Sequence, residues 1–119
     1  MTKTGFKSTA AMMALATATV AIGTGAKAEE KFKVYLSLSY SGNAWQSEAA
    51  NIVKALAQTA PYNELVELEE VISGTDPQAQ ISAYESMIDE GADAIISFPI
   101  SSTALNRTIK RGCDEGVLF

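Results

Sequence analysis

Residues Lys33 to Leu56 read KVYLSLSYSGNAWQSEAANIVKAL, and a change of period inside that stretch decides the fold. Phe32, Val34, Leu36 and Leu38 share one parity with Tyr35 between them, the spacing of a strand from Phe32 to Ser39. The alternation breaks at Tyr40-Ser41-Gly42-Asn43. Apolar positions then recur at Trp45, Ala49, Ile52, Val53 and Leu56, which places them on one face of a helix. A strand that passes into a helix through a short polar turn leaves that turn at its carboxyl end, where a pocket can form.

The same unit recurs downstream. Pro61-Tyr62-Asn63 ends the first helix, because proline restricts the residue before it and cannot continue a helical ladder. Leu65 to Ile72 carries apolar residues among Glu67, Glu69 and Glu70, the pattern of a second strand exposed on one side or at an edge. Asp76 is placed to cap a second helix with Pro77 in its first turn, where a missing N–H costs nothing. Ile81, Tyr84, Met87 and Ile88 supply that helix's buried stripe, and Gly91 is its expected stop. Ala92 to Phe98, ADAIISF, is a nearly continuous apolar run, the pattern of a strand covered on both faces in a parallel sheet. A third helix begins at Ser101 or Ser102, with Leu105, Ile109 and Cys113 inward, and closes at Gly116. Val117-Leu118-Phe119 reads as a strand just starting, so the sequence is expected to be a fragment cut inside that strand.

Strands alternating with helices predict an α/β fold, an open parallel sheet with helices on both faces. In such sheets ligands bind outside the carboxyl ends of the strands. The candidate pocket residues are therefore Tyr40 to Gln46 after the first strand and Pro99 to Ser102 after the third.

The amino-terminal 28 residues read as an export leader rather than as part of the fold. Lys3 and Lys7 start it, Ala10 to Ile22 is apolar and uncharged, and Ala26-Lys27-Ala28 is a small-x-small cleavage site. The apolar stretch is short for a membrane span and diluted by Thr and Gly. Of the nine basic and fourteen acidic residues the leader holds three basic and no acidic ones, so the mature chain from Glu29 carries a net charge of −8. An acidic exported chain without a basic run is a poor partner for nucleic acid or an anionic membrane surface. There is no histidine and a single cysteine, Cys113, which leaves little for metal chemistry. That thiol is either a small buried side chain on a helix face or one half of a disulfide whose partner lies outside this sequence.

The leader, KFKVYLSLSYSGNAWQ (31–46), DPQAQISAYESMIDEGADAIISFP (76–99) and SSTALNRTIKRGCDEGV (101–117) together resemble the first half of the amino-terminal lobe of a type I periplasmic sugar-binding protein. That family supplies the substrate-binding component of ABC importers, and the resemblance covers the mature chain. It implies a monomeric, two-lobed periplasmic protein, without a cofactor, that closes over a small sugar and presents it to a membrane permease. It also implies a ligand-contacting turn after the first strand, here Ser41, Asn43, Trp45 and Gln46, with Gln46 where a second aromatic is common. An aromatic face stacks on the C–H face of a sugar ring, and an amide both donates to and accepts from hydroxyls. Trp45 can equally be a core aromatic at the helix start, and Asn43 the helix cap. Where the family places an acid after the third strand, this chain has Pro99-Ile100-Ser101-Ser102, so Ser101 either caps the helix or touches the ligand as a neutral group.

A sensory binding protein of the same fold, feeding a chemoreceptor or a histidine kinase, is the alternative that these residues leave open. A carbohydrate-active enzyme has less support: no histidine base, Gly-x-Ser-x-Gly elbow or Gly-rich phosphate loop occurs in the mature chain.

Overall fold

The computed structural model describes residues 30–119, so the expected leader lies outside the described residues. Strand β1 (Phe32–Leu38) is the centre of a three-stranded sheet of order β2-β1-β3, with β2 at Val66–Ile72 and β3 at Ala94–Ser97. Both pairings are parallel, Phe32 opposite Val66 on one side and Val34 opposite Ala94 on the other. Leu118 makes a further parallel bridge to Ala94, so chain is already pairing at the outer edge of β3. The open parallel α/β sheet expected from the alternation of strands and helices is the architecture found.

Helix α1 (Ala44–Ala57) leads from β1 towards β2, with one turn, α2 (Tyr62–Leu65), before that strand. Helix α3 (Pro77–Asp89) joins β2 to β3, and α4 (Asn106–Asp114) follows β3. The Asp76 carboxylate accepts from the Gln78 N–H at 3.1 Å, which is the cap its position implied. Gly91 adopts φ +81°, the left-handed conformation that stops a helix cheaply only at glycine.

The sheet carries two separate cores. On one face Tyr35 and Ile95 pack with Met87, Ile88, Ala92 and Val117, beneath α3 and its continuation. On the other face Leu36 and Leu38 pack with Ala50, with Val53 and Leu68 at the margin. Residues on both parities of β1 are thus buried, Ser37 included, as a central strand requires, and so is Ser39 just beyond it.

Three expectations about facing are corrected. Trp45, Ile52 and Leu56 of α1 are more than half exposed, and the buried residues of that helix are Gln46 and Ala50. Small side chains face the sheet here because they let the helix approach it closely, so the largest apolar residues do not mark the inner face. Helix α4 starts at Asn106, and Leu105, Thr108 and Gly112 turn inward while Cys113 is exposed. Gly112 sits so near Phe119 and Ile88 that an added Cβ would lie 2.5 Å from the Phe119 ring, which fixes the helix face turned inward. Lastly, β3 is covered on one face only: Ile95 is 1% exposed and Ile96 44%. The glutamates of β2 lie on an edge strand, as its composition implied, and Glu70 pairs with Lys54 of α1 at 2.6 Å.

Candidate functional site

Strand order 2-1-3 means that the chain leaves β1 in one direction to reach β2 and crosses back over β1 to reach β3. Between β1 and β3 the two connections diverge, which opens a crevice outside the carboxyl ends of those strands. The segments that border it are Tyr40 to Gln46 and Phe98 to Ser102.

In the first segment Asn43 is the N-cap of α1, its Oδ1 accepting from the Gln46 N–H at 2.8 Å. The cap leaves the amide Nδ2 as the remaining donor of an exposed side chain. Ser41 accepts at its carbonyl from the Ser47 hydroxyl at 2.9 Å, tying the turn to the helix it precedes. The Tyr40 ring folds over Gly42, where an added Cβ would run into it. Trp45 stands outward at 60% exposure, so it is not a core aromatic among the described residues. Gln46 turns inward at 7%, and its Oε1 has no hydrogen-bond partner. A buried acceptor left unpaired costs free energy, about 1 to 3 kcal/mol, unless a ligand or water supplies a donor.

In the second segment Phe98 continues the sheet by donating its N–H to the Ser37 carbonyl at 3.2 Å. The fully buried Gln80 of α3 holds the next step: its Nε2 donates to the Phe98 carbonyl at 3.1 Å and its Oε1 accepts from the Ile100 N–H at 2.8 Å. Ser101 Oγ accepts from the N–H of Ala104 at 3.2 Å and of Thr103 at 3.4 Å, which caps the turn that leads into α4. Below the loop Tyr84 and Ser97 share a short hydroxyl contact, and burial pushes the Tyr84 phenol up, keeping it neutral.

The two segments meet through aromatic rings. Trp45 and Phe98 lie with centroids 4.9 Å apart and planes inclined at 60°, an edge-on pair. They stand over a small apolar cavity of about 150 Å³ lined by Leu36, Leu38, Gln46 and Ile96 among others. No charged residue occurs from Ser37 to Ser47 or from Ala94 to Asn106, so both bordering segments are neutral. Such a rim suits a neutral polar guest, held by ring faces and amide and hydroxyl hydrogen bonds. Among the described residues no group of three or more His, Cys, Asp or Glu is placed to hold a metal ion, and no helix is long and apolar enough to cross a membrane.

The structure thus gathers Ser41, Asn43, Trp45 and Gln46 on one border, with Ser101 on the other. Phe98 and Gln80 were missed. In the sequence Phe98 reads only as the last residue of an apolar strand. Gln80 carried a signal: it falls on the Tyr84-Met87-Ile88 stripe of α3, and a polar side chain on an inward stripe needs a partner.

Comparison with known proteins places this chain in a class. The profile of the periplasmic binding protein domain matches residues 34–119, and the chain belongs to that family. Among solved structures it is similar to a periplasmic ribose ABC transporter protein from Conexibacter woesei, with 26% identity and a TM-score of 0.64 over 78% of this chain and 30% of that one. It is also similar to the periplasmic binding protein component of the arabinose ABC transporter from Shewanella sp. ANA-3, bound to α- and β-L-arabinofuranose, with 26% identity and a TM-score of 0.61 over 71% of this chain and 27% of that one. A fructose-binding periplasmic domain of a hybrid two-component system shares the fold at 18% identity and a TM-score of 0.62, over 72% of this chain and 28% of its own. The chain therefore spans less than a third of the length of these proteins. No curated protein matches it.

Proposed function

We propose that this chain forms part of the amino-terminal lobe of an exported sugar-binding protein, which captures a small neutral sugar between two lobes and delivers it to an ABC transporter permease. In this reading the leader is cleaved after Ala28, the mature protein works as a monomer in the periplasm, and the sugar leaves chemically unchanged. One observation carries it above the others: the switch-point rim sets the exposed Trp45 ring beside Gln46, whose buried Oε1 lacks a donor. A pyranose or furanose offers both complements, an apolar C–H face and hydroxyl donors. Asn43 Nδ2, the Ser41 hydroxyl and Ser101 Oγ are the further neutral groups of the rim that we assign to the ligand. Closure of the lobes then reads hydroxyl stereochemistry, because each polar group left unpaired inside the cleft weakens binding.

Calorimetry of the full-length protein against a panel of pentoses, hexoses and polyols tests the reading. Binding of at least one sugar without turnover is expected, and Trp45→Ala should weaken it by about 1 to 3 kcal/mol. Conversion of the bound sugar to product, or a fall in melting temperature with unchanged affinity in Trp45→Ala, would count against it. A sensory role is the second reading, favoured by the fold shared with the fructose-binding domain of a two-component system. Sugar-dependent uptake that fails when the protein is deleted separates transport from sensing.

A further inference from the structure

The Gln80 amide bridges a gap that the backbone cannot close. Phe98 is the last residue of β3's path to be held by the sheet, through its N–H on the Ser37 carbonyl. The next residue, Pro99, has no N–H to offer a ladder, so the strand ends there by chemistry. Gln80 then acts as a surrogate peptide, taking the Ile100 N–H on Oε1 and giving an Nε2–H to the Phe98 carbonyl. Phe98 is thereby fixed by its N–H on one side and its C=O on the other. With the backbone pinned, strand alternation sends Ser97 towards Tyr84 on the α3 face and Phe98 to the opposite face, against Trp45.

A glutamine with no exposed surface has a high requirement for this arrangement. Both ends of its amide are paired, and each partner is a backbone group that no other described residue bonds. Replacing it with an apolar residue of similar size removes the partner of a carbonyl and of an N–H at once and unties the exposed loop from α3, leaving it free to shift. Phe98, 44% exposed and retained chiefly by its backbone, moves with it.

We infer that Gln80 is a positioning residue for the ligand rim, holding Phe98 edge-on against Trp45 so that the two rings form one fixed aromatic corner, and that Phe98 shares with Trp45 the contact to the guest. The part concerning the guest rests on the sugar-binding reading above; the part concerning the rings does not. The coupling runs from a fully buried α3 side chain on one face of the sheet to an aromatic pair on the other. Its cost is two hydrogen bonds, and its effect is rigidity at the place where a ring must stack.

The test uses the full-length protein labelled with 5-fluorotryptophan, the Trp45 resonance being assigned by its loss in Trp45→Phe. In the sugar-free state Gln80→Leu should move that fluorine resonance towards its position in Phe98→Ala. Met87→Ala, on the same helix but away from the loop, should lower the melting temperature without moving it. With D-ribose, L-arabinose and D-glucose as probes, Gln80→Leu and Phe98→Ala should each weaken by about five- to tenfold whichever of these the wild type binds, while Met87→Ala leaves affinity unchanged. A Trp45 resonance that stays at its wild-type position in Gln80→Leu overturns the positioning role. A moved resonance with wild-type affinity overturns the role of the aromatic corner in binding. If the wild type binds none of the three sugars, the corner's role towards these guests is overturned, and the resonance still upholds or overturns the clamp. Should Gln80→Leu fail to fold, Gln80→Met probes the same link with an unbranched side chain that keeps the length and loses both amide hydrogen bonds: a moved resonance with weakened affinity supports it, and no change in either overturns it.

Discussion

On one face of the sheet α3 and α4 leave Tyr35 and Ile95 at 1% exposure, whereas on the other α1 alone covers Leu36 and Leu38 and leaves Ile96 nearly half exposed. The strands are the same; the number of helices above them differs. The first face behaves as a finished interior, in which large side chains interlock. The second is finished beside β2, where Ala50 and Val53 sit on the strand, and open beside β3. Trp45 and Phe98 lie at the carboxyl margin of the open side. Among the described residues the exposed Trp45 and Phe98 rings stand on that open side, the side on which we propose the guest is met.

The sharpest way to break this contrast is a matched pair of neighbours in β3. Ile95→Ala should cost about 2 to 5 kcal/mol of unfolding free energy in denaturant titrations. Ile96→Ala, one residue along on the other face, should cost less than about 1 kcal/mol in the 119-residue chain. Equal losses would mean that both faces are covered to the same degree. A smaller effect probes the closeness of the finished face. Gly112→Ala gains roughly 0.5 to 1 kcal/mol of helix preference but pushes a methyl group into Phe119 and Ile88, and overpacking of that kind costs about 1 to 3 kcal/mol. A net loss is expected; a net gain would mean that α4 can step back freely. The smallest effect sharpens the open side. Asn43→Ala removes the cap of α1 and should cost about 1 kcal/mol, with Asn43→Ser retaining most of it. If Asn43→Ser keeps stability yet weakens sugar binding, the amide serves the ligand as well as the helix.

Much of the fold was legible because its signals are local. The Asp76-Pro77 start and Gly91 stop of α3 each follow from the chemistry of one or two residues. Facing was less legible. Ala50 and Gly112 turn inward, and Trp45, Ile52, Leu56 and Cys113 outward, because close approach of a helix to a sheet selects small side chains, while hydropathy ranks large ones first. The candidate site was legible only as a crevice, since strands alternating with helices put one after β1 and β3. Its internal wiring was not. The bond from Gln80 to Phe98 joins residues 18 positions apart on different elements, and no spacing rule pairs them.

The glutamates of β2 have a consequence for how copies of this chain meet. An edge strand presents unpaired backbone groups to any passing extended segment, and here that border carries Glu67, Glu69 and Glu70. A second molecule approaching it brings its own carboxylates, so like charge discourages stacking of sheets end to end. At the opposite border Leu118 has already docked beside Ala94. The two margins therefore differ: one is fenced by acid, and the other is taken up by the chain itself at Leu118.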